Sequence, residues 1–97
     1  MDKKHLSILK ASISHYSVTV AKVITMEEMA ELTKEISKSI RYGDINTENI
    51  AEEMADVEIC LEFLRLIYNN AERVKEYKSQ KIDRLAERIK GGAEDND

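Results

Sequence analysis

The sequence predicts an all-α fold, a bundle of about four helices. Three observations predict it. The 97-residue chain contains no Pro and only three Gly, which disfavours a turn-rich sheet. Its 42% apolar and 35% charged residues are the composition of amphipathic helices. Its apolar residues recur three and four positions apart almost throughout.

Leu6, Leu9, Ile13 and Tyr16 mark a first helix. Val18 to Ile24 is rich in β-branched residues, which pack less readily in helices, so the pattern there is weaker. Met26, Met29, Leu32, Ile36 and Ile40 define a second helix. Gly43 is expected to end it, because Gly readily adopts the left-handed turn past a helix C-terminus. Asn46 or Thr47 then caps a third helix with the stripe Ile50, Met54, Val57, Leu61, Leu64 and Tyr68. Asn69 and Asn70 interrupt the period, and Asn69 with Glu72 reads as a capping-box-like start. The fourth helix carries Val74, Ile82, Leu85 and Ile89, and Gly91-Gly92 stops it. One domain over residues 1–92 is expected, followed by a disordered acidic tail, 93–97. The short connections between the last three helices favour antiparallel neighbours.

Fifteen basic residues face nineteen acidic ones, for a net charge of -4. That balance gives no general attraction for nucleic acid or an anionic membrane. A single Cys excludes an internal disulfide and suits a reducing compartment, and no apolar stretch is long enough to span a bilayer. A cytoplasmic location is expected. So small a chain buries a modest core, so association into a homo-oligomer is expected, with the helices carrying Ile36, Ile40, Leu61 and Leu64 sharing the core.

The chemistry lies in where the acids fall. At about 100° per residue, Glu53 projects only about 40° from Val57, inside the apolar sector of its helix. Asp56 falls in the same sector, between Phe63 and Ile67. Burying an unpaired carboxylate is costly, so such positions call for a cation, a metal or a proton. Glu48, Glu52, Glu58 and Glu62, by contrast, read as an ordinary solvated face. On the second helix Glu28 and Glu31 stand at i and i+3, where like charges repel unless something neutralises them. Antiparallel packing would bring Glu28, Glu31, Glu53 and Asp56 around one cavity. Four oxygen ligands suit Mg²⁺, with Mn²⁺ as a substitute, rather than zinc. A basic stripe, Lys78, Lys81, Arg84 and Arg88, runs along the fourth helix. These stems can simply cover apolar surface, or their charges can grip phosphate oxygens.

The segment EEMAE, Glu27 to Glu31, followed by EMAD, Glu53 to Asp56, resembles the EExxE…ExxD signature of the MazG-like all-α nucleoside triphosphate pyrophosphohydrolases. The resemblance extends from about His15 to Lys90 and is to the short single-domain, phage-like type. It implies that Glu28, Glu31, Glu53 and Asp56 hold magnesium and that Glu27 is auxiliary. Glu27 or Glu31 would orient the attacking water or take its proton. It implies hydrolysis of an NTP or dNTP to the monophosphate and pyrophosphate by a dimer or tetramer. Many relatives carry a Gln upstream of the acid pair, where this chain has Ala21 and Lys22. The alternative is a non-catalytic helical dimerisation module with a structural metal site.

Overall fold

The computed structural model describes residues 1–92, and these form four helices and no strand. They are α1 (Lys3–Tyr16), α2 (Val18–Tyr42), α3 (Thr47–Tyr68) and α4 (Ala71–Gly91). The fold is an all-α helical bundle. The tail expected at 93–97 lies outside the described residues.

Each boundary has a local cause. Asp2 caps α1 by accepting from the His5 N–H at 2.8 Å. One residue, Ser17, separates α1 from α2. Its N–H donates to the Ile13 carbonyl at 2.9 Å, closing α1, and its hydroxyl accepts from the Val20 N–H at 3.1 Å, opening α2. Ser17 does this at φ 128, a conformation that L-residues seldom adopt. The β-branched stretch Val18–Ile24 is helical throughout. Its low intrinsic propensity is overridden by the Ser17 cap and by burial of Ala21 and Thr25 against the rest of the fold. Gly43 ends α2 at φ 85, as the sequence predicts.

Two caps differ from expectation. Asn46 occupies the N-cap of α3, but its side chain bonds to no α3 amide. Its amide group instead donates back to α2, to the Glu35 carbonyl at 3.0 Å and to Glu35 Oε1 at 2.7 Å. The capping-box start at Asn69 does not form. Asn69 takes the left-handed conformation (φ 49) that closes α3, so the N-cap of α4 moves on to Asn70. The last helix runs through Gly91 and closes on left-handed Gly92.

The body of the fold is the antiparallel pair α2–α3, with α1 packed against both. Contacts along the pair fix its direction. Lys22 lies over the ring of Tyr68 at 4.9 Å, Thr25 meets Cys60, Glu28 meets Glu53, and Glu35 meets Asn46. The α4 helix departs from expectation, because it packs only weakly on the others. It approaches α3 near the turn, where Leu61, Leu64, Arg65 and Tyr68 come close to Val74 and Tyr77. Beyond that, Lys78 and Lys81 interrupt its apolar stripe, and Ile82, Leu85 and Ile89 are exposed.

The molecule is therefore elongated. Its radius of gyration is 16.6 Å, against about 12.5 Å for a compact chain of this length. The buried apolar residues among those described are Ala21 and Cys60. No described helix is long and apolar enough to cross a membrane.

The buried Glu35 has a testable consequence. Hydrogen bonds from Asn46 and Lys38 favour its charged form and hold its carboxyl below the usual carboxylate range. A depressed folded value means that this contribution is present above the ordinary carboxyl pKa and is lost as pH falls through the folded one. Asn46→Ala is expected to lower the Tm by roughly 5 °C at pH 7. The difference from the native protein should narrow in acid, as thermal melts across pH 3–7 will show. A gap of constant size over that range would mean that Asn46 acts other than through the Glu35 charge.

Candidate metal centre

Three of the expected acids come together. Glu28 projects from the middle of α2, and Glu53 and Asp56 project from the facing turn of α3. Each offers a carboxylate oxygen, and the three oxygens all lie within 4.8 Å of one another. All three residues are half-buried. The spacing explains the convergence. Glu53 and Asp56 are at i and i+3, so they sit on one side of α3, the same side as buried Cys60. The antiparallel pairing then delivers Glu28 opposite them.

Glu53 is the most constrained of the three. Its Oε1 has essentially no accessible surface and no hydrogen-bond partner. Its pKa is raised above the usual carboxyl value, first by burial and then by the neighbouring carboxylates of Glu28, Asp56 and Glu31. Burial and like charges both disfavour its charged form unless a cation joins the cluster.

The fourth expected ligand, Glu31, stands one turn along α2 from Glu28 and is exposed. Its charge is felt at Glu53, but it lies outside the tight triad. Glu27 is also exposed. A hard divalent cation fits this set, because the donors are all carboxylate oxygens and one is buried without a partner. The imidazoles His5 and His15 belong to α1 and are not members of the cluster. Cys60 lies near the acids, but burial raises its thiol pKa and leaves it protonated and inert.

The basic stripe is placed elsewhere. Lys78 and Lys81 border a cleft of about 650 Å³ between α3 and α4, with Leu61, Arg65, Val74 and Tyr77. None of the four acids lines that cleft. Arg84 and Arg88 follow on the same weakly packed helix, Arg84 exposed and Arg88 half-buried. Glu35 continues the Glu28–Glu31 row in sequence, yet it turns inward to Asn46 and Lys38 and serves the α2–α3 turn. The signal available for this was an Asn at the turn opposite an acid on the preceding helix.

Comparison of the chain with protein-family models, with curated proteins and with solved structures gives no match.

Proposed function

We propose that this chain is a Mg²⁺-dependent nucleoside triphosphate pyrophosphohydrolase, converting an NTP or dNTP and water to the monophosphate and pyrophosphate. The observation that carries the reading is the buried, partnerless Oε1 of Glu53 beside the carboxylates of Glu28 and Asp56. Such a grouping is costly unless a cation joins it. The EExxE…ExxD resemblance supplies the reaction class.

Glu28, Glu53 and Asp56 would hold the magnesium, with Glu31 turning in as a further ligand. Mn²⁺ would occupy the same oxygens. When bound, the ion offsets the negative charge of the triphosphate and polarises its phosphoryl oxygens. The chain's own residues do the rest. The two helices fix the carboxylates in position before substrate arrives, so little reorganisation is needed at reaction. In this reading Glu27 or Glu31, both exposed on α2, would orient the attacking water or accept its proton. Lys78, Lys81, Arg84 and Arg88 share no cleft with the acids in this chain. Any grip they have on phosphate falls to α4 of another copy or to a movement of α4. The working form in this reading is a cytoplasmic homo-oligomer, dimer or tetramer, with no membrane or nucleic-acid partner.

A second reading, a non-catalytic dimerisation module with a structural metal site, is favoured by one observation, the large exposed apolar surface. A phosphate-release assay over a panel of NTPs and dNTPs, run with and without added pyrophosphatase, separates the two. The enzyme reading predicts Mg²⁺-dependent phosphate that appears only with pyrophosphatase. No turnover on any nucleotide would leave the module reading standing.

A further inference from the structure

We propose that the cleft between α3 and α4 binds a phosphate monoester that carries an aliphatic chain. The inference is independent of the catalytic reading, since no acid of the metal centre lines this cleft. At about 650 Å³ the cleft has the volume of a small-molecule site. Its lining divides in two. Leu61, Val74 and the ring of Tyr77 form an apolar floor, and Arg65, Lys78 and Lys81 supply three cations. A second hollow adjoins the floor at Leu61 and Val74 and adds Leu64 and Tyr68 towards the α3–α4 turn.

Charge selects the head group. Arg65 is balanced by Glu62, to which its Nη1 donates at 3.1 Å. Lys78 and Lys81 have no such balance. Neither has an acid three or four residues away on α4, where Val74, Lys75, Tyr77, Ile82, Arg84 and Leu85 stand instead. Among the described residues no acid lines the cleft. The two ammonium groups stand at i and i+3, where like charges repel. A dianion beside them removes that repulsion and matches their charge. A phosphate monoester is close to a dianion at pH 7. The guanidinium of Arg65 keeps further N–H groups for the same phosphate.

Hydrogen bonding selects the body. Lysine and arginine side chains only donate. The Tyr77 hydroxyl already accepts from Arg73 at 2.8 Å. Sugar hydroxyls or base amino groups would therefore find almost no side-chain acceptor in this cleft, and an unpaired donor held there is costly. A hydrocarbon chain needs no acceptor. It gains by covering the floor, where Leu61 is 37% and Tyr77 49% exposed.

The test titrates the full chain with hexyl, octyl and decyl phosphate by calorimetry. Each ligand is kept below its micelle concentration, and EDTA is present so that the metal centre takes no part. Saturable binding of one ligand per chain is expected, tightening about fivefold or more for each two carbons added. Lys78→Gln and Lys81→Gln should each weaken decyl phosphate about tenfold, with circular dichroism unchanged. Decanoate, which carries one charge, should bind about tenfold more weakly than decyl phosphate. Amide shifts in NMR spectra should centre on Leu61, Arg65 and the α4 residues from Val74 to Lys81. Inorganic phosphate or AMP bound as tightly as decyl phosphate would overturn the proposal. So would the absence of saturable binding. Binding that neither lysine substitution changes would also overturn it, since the ligand would then sit on another face.

Discussion

Glu53→Gln is expected to lower nucleotide turnover by about 10²–10³-fold, with the helical circular dichroism unchanged. The substitution keeps the shape of the side chain and removes its charge. The buried Oε1 loses the negative charge that makes it a ligand for a cation. Asp56→Asn and Glu28→Gln should behave alike, because the three oxygens form one cluster within 4.8 Å. Combining them should add little, since the first loss already disables the shared site. Glu87→Gln, on the exposed part of α4, serves as the control and should keep native turnover. Steady-state kinetics on the substrate selected by the nucleotide panel checks all four. Native turnover by Glu53→Gln would remove Glu53 from the metal assignment.

The second large effect is on stability. Without a cation, Glu28, Glu53 and Asp56 repel one another and Glu53 is desolvated, which opposes folding. A metal that binds only the folded chain stabilises it by mass action. At about a hundredfold excess over its Kd, Mg²⁺ or Mn²⁺ should raise the Tm by on the order of 10 °C for a domain of this size. Glu53→Ala should melt higher than the native chain when metal is absent, because it removes the repulsion. It should respond far less to added metal. Differential scanning fluorimetry with and without EDTA reads both effects. Equal metal shifts in the two proteins would place the ion elsewhere.

Much of the fold is legible in the sequence because helices declare themselves locally. The period of Met26 to Ile40, the stop at Gly43 and the double Asn after Tyr68 each depend on residues a few positions apart. The convergence of Glu28 with Glu53 and Asp56 is legible for a related reason. An acid within an apolar stripe must face the neighbouring helix, and a short turn makes that neighbour antiparallel. What the sequence does not reveal depends on competition between distant groups. Asn46 reads as a cap, yet the buried carboxyl of Glu35 takes its amide group. The β-branched run after Ser17 reads as weak helix, and tertiary burial of Ala21 and Thr25 decides it. The fourth helix has a regular apolar stripe, but beyond Val74 its Ile82, Leu85 and Ile89 stay exposed among the described residues. A stripe marks an apolar face, and only the packed structure shows how much of that face the described residues cover.

The claim that this chain hydrolyses a nucleoside triphosphate between its α and β phosphates is tested most directly by phosphorus NMR. The purified protein is incubated with the nucleotide and Mg²⁺, and the same mixture with EDTA is followed alongside. The three triphosphate resonances are expected to give way to one for the monophosphate and one for pyrophosphate, only where Mg²⁺ is present. Triphosphate resonances that persist unchanged, or that decay to a diphosphate and inorganic phosphate, would contradict it.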